Sequence, residues 1–105
     1  MMITVTPDAA KQIRESARHS NAEGLPLRIA AQRQDNGAIH YAMGFADEEH
    51  DEDLHFTSEG VEIIVSPISL DLINNTVIDF VELDSGEHNF IFKNPNDPQY
   101  QPPTN

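Results

Sequence analysis

The chain has 105 residues, enough for one ordinary domain and too few for a second independent core. Its 38% of hydrophobic residues can bury a core, and the absence of cysteine removes disulfides, thiolate nucleophiles, thiolate-bound zinc and cysteine-ligated iron-sulfur clusters. Eighteen Asp and Glu against six Lys and Arg leave a net charge of −12, which nucleic-acid phosphates and anionic bilayers repel, so neither a nucleic acid nor a membrane is expected as a partner.

A short strand is expected at residues 3–5. Thr6-Pro7-Asp8 then supplies an N-cap residue, a proline at the first helical position and a carboxylate at the positive end of the helix dipole. The helix it starts should run over residues 7–20, with Ala10, Ile13 and Ala17 as a narrow apolar stripe that needs a sheet to pack on. From Leu27 the period changes to two. Leu27, Ile29 and Ala31, then Ile39, Tyr41, Met43 and Phe45, predict a hairpin centred on Asn36-Gly37, a pair suited to a two-residue type I′ turn.

The acidic run Asp47-Glu48-Glu49-His50-Asp51-Glu52-Asp53 lies between two apolar stretches, as a loop does. Leu54 and Phe56, then Val61, Ile63 and Val65, predict two more strands joined at Glu59-Gly60. Ser66-Pro67 repeats the cap-then-proline signal, placing a second helix over residues 67–73, ended by Asn74-Asn75. The last strand pair falls at residues 77–83 and 88–92 around Ser85-Gly86, the first of them covered on both faces. Four of the seven prolines follow Asn94, and residues 94–105 are expected to be a disordered Pro-rich tail on a domain of residues 1–93. The fold class is α+β, mostly β, with two helices. No apolar run reaches bilayer-spanning length, and residues 1–6 lack the basic and apolar regions of a signal peptide, so a cytoplasmic address is expected.

Chemistry-bearing residues are numerous but poorly spaced. Asp47, Glu49, Asp51 and Asp53 offer oxygen ligands for a hard cation, yet the run lacks the glycine turn and spaced ligands of a calcium loop. His40, His55 and His88 fall in three separate strands, and ordinary exposed or hydrogen-bonded histidines are the simpler reading. No serine sits in a nucleophile elbow, and Ser66, Ser69 and Ser85 read as cap, helix and turn residues. Asp79, between Ile78 and Phe80, reads as a hydrogen-bonded structural carboxylate before a catalytic one. Each glycine is isolated, so there is no phosphate cradle. No metal, cofactor or enzymatic activity is expected.

The opening Ile3-Thr4-Val5-Thr6, Leu27-Arg28-Ile29, Tyr41, Phe45 with Asp47-Glu48, Gly60-Val61, Ser69-Leu70, Asp79-Phe80-Val81 and Phe90-Ile91-Phe92-Lys93-Asn94-Pro95-Asn96 stand in a familiar order and spacing. Through them the chain resembles the A-type iron-sulfur carrier family (IscA, SufA and HesB-like proteins) along nearly all its length. It implies a HesB-like domain of short mixed sheets packed as a sandwich with two helices. It also implies three cysteine ligands, whose positions are taken here by Asn36, Gln101 and Pro103, none able to replace a thiolate. A cysteine-free, acidic chain on this scaffold resembles a family offshoot, the DsrR-like proteins of sulfur-oxidising bacteria. The expectation is a non-enzymatic interaction or regulatory module that has lost iron and cluster binding, with a setting in dissimilatory sulfur oxidation. Its expected partner is a protein with a basic patch, met by Asp47, Glu48, Glu49, Asp51, Glu52 and Asp53. The alternative is a cysteine-independent carrier of iron or another metal that uses histidines and carboxylates.

Overall fold

The computed structural model describes residues 2–97. Nine elements follow in chain order: β1 (Thr4–Val5), α1 (Pro7–His19), β2 (Leu27–Arg33), β3 (Ile39–Phe45), β4 (Leu54–Ser58), β5 (Val61–Val65), α2 (Pro67–Ile73), β6 (Val77–Glu82) and β7 (His88–Lys93). They form two mixed sheets. One has the order β1-β6-β7, with β1 parallel to β6; the other has the order β3-β2-β5-β4, with β2 parallel to β5. Ser58 at the end of β4 links the sheets, its Oγ accepting from the Val5 N–H at 3.0 Å.

The core lies between these layers and the helices. Ile3, Val5, Ile13, Leu27, Ile29, Ile63, Val65, Leu70, Ile73 and Ile78 are all buried in it. Alternation places Leu27, Ile29 and Ala31 of β2 beside Phe45, Met43 and Tyr41 of β3 on the inner face. In α1 the buried side is Ala9, Ala10 and Ile13, small enough to bring the helix close to the sheets, while Ala17 is only half-buried. Both helices start as the sequence predicts. Thr6 Oγ1 accepts from the Ala9 N–H at 3.2 Å, Ser66 Oγ accepts from the Ser69 N–H at 3.3 Å, and proline opens each helix. The parallel pairing of β2 with β5 covers only Leu27 and Arg28, and farther along α2 takes over: Ser69 Oγ accepts from the Ala31 N–H at 3.1 Å.

The turns differ from expectation. Arg33 pairs with Ile39, which leaves five residues between the strands instead of a tight pair. Gly37 N–H donates to the Gln34 carbonyl at 2.9 Å and Gln34 N–H to the Ala38 carbonyl at 2.7 Å, and only Gly37 takes a positive φ, +88°. This is a type I turn closed by a left-handed glycine, and Asn36 keeps ordinary backbone geometry. The two-residue turn with both central residues at positive φ occurs instead at Glu59 (51°) and Gly60 (78°), between the paired Ser58 and Val61. Arg14 Nη1 holds that turn by donating to the Glu59 carbonyl at 2.8 Å.

Candidate functional site

Two surface regions carry the residues singled out above. One is the corner formed by the β2–β3 hairpin and the chain after β7. At the hairpin tip the Asn36 side chain is turned inward on its own loop, with Oδ1 accepting from the Ala38 N–H at 3.0 Å, and Arg33 Nη1 donates to the Gly37 carbonyl at 2.9 Å. Five positions along, the Tyr41 ring stacks on Phe92 with centroids 4.3 Å apart and planes 3° from parallel. The Tyr41 hydroxyl donates to Asp97 Oδ2 at 2.8 Å and accepts from Asn94 Nδ2 at 3.1 Å.

Asn94 is fully buried and uses both ends of its amide. Its Nδ2 also donates to the Leu72 carbonyl of α2 at 2.8 Å, while its Oδ1 accepts from Asn96 N–H at 2.9 Å and from Asn96 Nδ2 at 3.0 Å. Asn96 Nδ2 reaches on to the Asn74 carbonyl at 2.8 Å. Burial pushes the Tyr41 phenol up to about 12, opposed by the Asn94 donor and assisted by the Asp97 carboxylate. These bonds run on through Asp97, past the boundary expected at residue 93. Asparagine and proline without apolar periodicity read as a tail, but here one amide is the buried junction of β3, α2 and the segment after β7. Gln101 and Pro103, the other two positions matched to family cysteines, lie outside the described residues.

The second region is the acidic run on the outer face of the β3-β2-β5-β4 sheet. Arg28 projects from β2 and grips Asp53 with both guanidinium nitrogens, Nη1 to Oδ1 at 3.1 Å and Nη2 to Oδ2 at 2.7 Å, and Nη2 also donates to the Glu48 carbonyl at 3.2 Å. The His50 N–H donates to Asp53 Oδ2 at 2.8 Å, and the Asp53 N–H returns a bond to the His50 carbonyl at 3.0 Å. Arg28, joined by the His50 amide, holds the Asp53 carboxyl down at about 2. The loop is thus drawn back over the sheet. Ile64, which alternation sends to this outer face opposite Arg28, is completely buried.

Only 1% of the Asp53 side chain is exposed, so within the run Asp53 is an anchor of the loop. Asp47, Glu48, Glu49, His50, Asp51 and Glu52 remain exposed. Beside them a hollow of about 420 Å³ opens on the outer face of β2 and β3, floored by the small residues Ala30, Ala42 and Gly44 and bounded by Asp47, Glu48 and His50.

The other candidates separate. His40, His55 and His88 are exposed on different strands, and among the described residues no three His, Asp or Glu side chains gather as a metal site would require. Asp79 is structural: it accepts from Thr6 Oγ1 at 2.6 Å, from the Phe80 N–H at 2.8 Å and from Lys93 Nζ at 3.2 Å. Thr6 first and these neighbours with it hold its carboxyl below the usual range. The donors present do not suit an iron-sulfur cluster, because the chain has no thiolate and the Asn36 amide oxygen is already engaged. Sequence reasoning missed Arg28 and Asn94 as organisers. Their signals were faint: one cation in an outward position near the start of the first hairpin strand, and an Asn-Pro-Asn step directly after the last strand.

Residues 1–98 match the family model described as iron-sulphur cluster biosynthesis. The chain is 31% identical over 96 residues to the iron-binding protein IscA of Serratia proteamaculans, covering 91% of this chain and 88% of that protein. It is 32% identical over 94 residues to SufA of Bacillus subtilis, covering 90% and 78%. Among solved structures, a crystal structure of IscA with the [2Fe-2S] cluster superposes with a TM-score of 0.78 at 28% identity, over 93% of this chain and 89% of that one. Escherichia coli SufA, involved in biosynthesis of iron-sulfur clusters, superposes at 0.72 and 28% identity, over 91% and 88%.

Proposed function

The chain belongs to the iron-sulphur cluster biosynthesis family, and on that premise we propose that it is a non-enzymatic member that carries no cluster and works as a protein-interaction module. The observation that carries this is at the hairpin tip. Where the resemblance implies the first cysteine ligand, Asn36 stands, its side chain closing the turn by accepting from Ala38. Its carbonyl oxygen is a weak donor for iron, and no residue of the chain replaces the missing sulfur. What the scaffold keeps is a rigid sandwich with an exposed acidic loop pinned by Arg28. Concentrated negative charge of this kind speeds encounter with a basic surface and is screened by salt. The setting in sulfur oxidation rests on the resemblance to the cysteine-free offshoot, and a sulfur-oxidation gene cluster around this gene is the result expected of it.

Anaerobic reconstitution with iron and sulfide tests the loss of the cluster. The purified protein is expected to stay colourless, with no cluster charge-transfer absorption. A stable cluster in the unaltered chain overturns the proposal. Combining Asn36→Cys, Gln101→Cys and Pro103→Cys is expected to restore iron or cluster binding in part; a folded but inert triple variant refutes the register. For the interaction role, Glu48→Gln, Glu49→Gln, Asp51→Asn and Glu52→Gln together are expected to abolish capture of the basic partner. Unchanged capture refutes that role.

A further inference from the structure

The strand β3 lies at the edge of its sheet, and its ladder parity can be read from both ends of the hairpin. Gln34 donates to Ala38 beyond one end and Ala46 donates to Pro26 beyond the other. In an antiparallel ladder hydrogen-bonded pairs alternate with non-bonded ones, so His40, Ala42 and Gly44 are the β3 residues that bond β2. Ile39, Tyr41, Met43 and Phe45 therefore turn their backbone N–H and C=O groups to the side on which no described strand pairs. Edge strands are ordinarily protected by charge, proline, a bulge or brevity. This one has none of these: seven residues in continuous register, IHYAMGF, with no Lys, Arg, Asp, Glu or Pro. The opposite edge of the same sheet, β4, is shorter and is tied to β1 through Ser58 and Val5.

We propose that β3 is an addition site for an extended, basic segment of the partner protein, which pairs as a fifth strand and lays its cationic side chains over the hollow between Ala42, Gly44 and the acidic loop. This rests on the interaction role proposed above and names where and how the partner binds. Three features fix the occupant. On the inner side the half-buried rims of Tyr41, Met43 and Phe45 suit apolar side chains at every second position. On the outer side the floor is too small to obstruct long side chains, and Asp47 and Glu48 stand at its rim. Arg28, the cation nearest the hollow, is neutralised by Asp53, so the field there is negative. A second copy of the chain would bring another net −12 to the same place. Residues 98–105 include Pro98, Pro102 and Pro103, which leave no proline-free run longer than the three residues Gln99-Tyr100-Gln101 for a ladder.

The probe is a seven-residue peptide alternating lysine and valine, added to the full chain at low salt and followed by amide hydrogen exchange. Saturable binding is expected, with slowed exchange at Tyr41, Met43 and Phe45 and no change at Ala42 and Gly44, whose amides already bond β2. Replacing lysine by glutamate is expected to abolish binding. Of two peptides N-methylated on alternate residues, the one whose methyl groups face β3 is expected to bind at least about tenfold more weakly, because three or four of its N–H groups can no longer donate to the strand. Met43→Pro removes an edge-facing N–H without touching the β2 ladder and is expected to weaken binding similarly.

The proposal falls if the peptide fails to bind, or if its effects are confined to residues 47–52 with Tyr41, Met43 and Phe45 unprotected. It also falls if those amides are already protected before peptide is added, because the chain's own end or a second copy then occupies the edge; sedimentation tells the two apart. If the amides stay unprotected while neutralising the acidic loop still abolishes partner capture, the interaction role stands and this site for it does not. Partner capture that survives neutralisation refutes the interaction role itself.

Discussion

The acidic loop at residues 46–53 and the segment after β7 at residues 94–97 are both polar, both irregular, and each organised around one buried residue, yet the fastenings differ in kind. The loop is held by a charge pair in which the carboxylate of Asp53 is covered and the guanidinium of Arg28 is partly open to solvent. The segment after β7 is held by a neutral amide, Asn94, with no exposure at all. A charged anchor depends on ionisation and is sensitive to acid; an amide anchor depends on every partner being present and does not titrate. The two regions should therefore fail under different conditions and by different amounts.

The largest effect is expected at Asn94. Asn94→Ala removes four hydrogen bonds and leaves the half-buried Leu72 carbonyl without its partner. A loss of roughly 2–3 kcal/mol in urea unfolding is expected, nearly constant from pH 4 to 8. A loss below about 0.5 kcal/mol would show that water replaces the amide without penalty and would erase the contrast between the two anchors.

Asp53→Asn should come second and should depend on pH. The folded-state carboxyl lies at about 2, against an ordinary 3.8, so the pair stabilises the fold above about pH 4 and the benefit disappears as the pH falls towards 2. The stability gap between the native chain and the variant is expected to be full at neutral pH and to close across that window. A gap that persists at pH 2 would mean that Asp53 acts through shape and not charge.

Tyr41→Phe is expected to cost about 1 kcal/mol, because the stack on Phe92 survives while the hydroxyl bonds to Asp97 and Asn94 are lost. The phenol's raised position, at about 12, makes the native contribution complete below pH 10 and lost as the pH rises from 10 towards 12. The native chain and the Phe variant should thus converge only in strong alkali, the mirror of the Asp53 case. The smallest effect belongs to the combined neutralisation of Glu48, Glu49, Asp51 and Glu52, expected to change stability by less than about 0.5 kcal/mol or to raise it slightly by relieving repulsion. A large loss there would show that more of the run than Asp53 is structural.

The order of elements and the inner faces of β2, β3 and β5 were legible in the sequence, because caps, prolines and the period-two alternation act over a few residues, whereas β6, expected to be covered on both faces, fully buries only Ile78. Thr6-Pro7 and Ser66-Pro67 start their helices for reasons contained in those dipeptides. The turns were legible only in part. Asn36-Gly37 has the chemistry of a primed turn, but turn type follows from the number of residues the strand register leaves over, and the pairing of Arg33 with Ile39 leaves five. The register of β4 with β5 leaves two, which puts Glu59 in a left-handed conformation that its own chemistry disfavours.

By itself the sequence determined that this protein has no thiolate, carries a strong negative charge and builds a two-helix, mostly β sandwich. Composition and local periodicity are properties of neighbours along the chain. Tertiary structure alone decided which of seven residues in the polar run is an anchor and which lie open, and that the polar segment 94–97 is tied to the sandwich. Asp53 differs from Asp51 only in meeting Arg28 from 25 residues away, and Asn94 differs from Asn96 only in meeting Tyr41 from 53 residues away. A carboxylate or an amide takes its role from the donors and acceptors that surround it once water is excluded, and those are assembled by the fold.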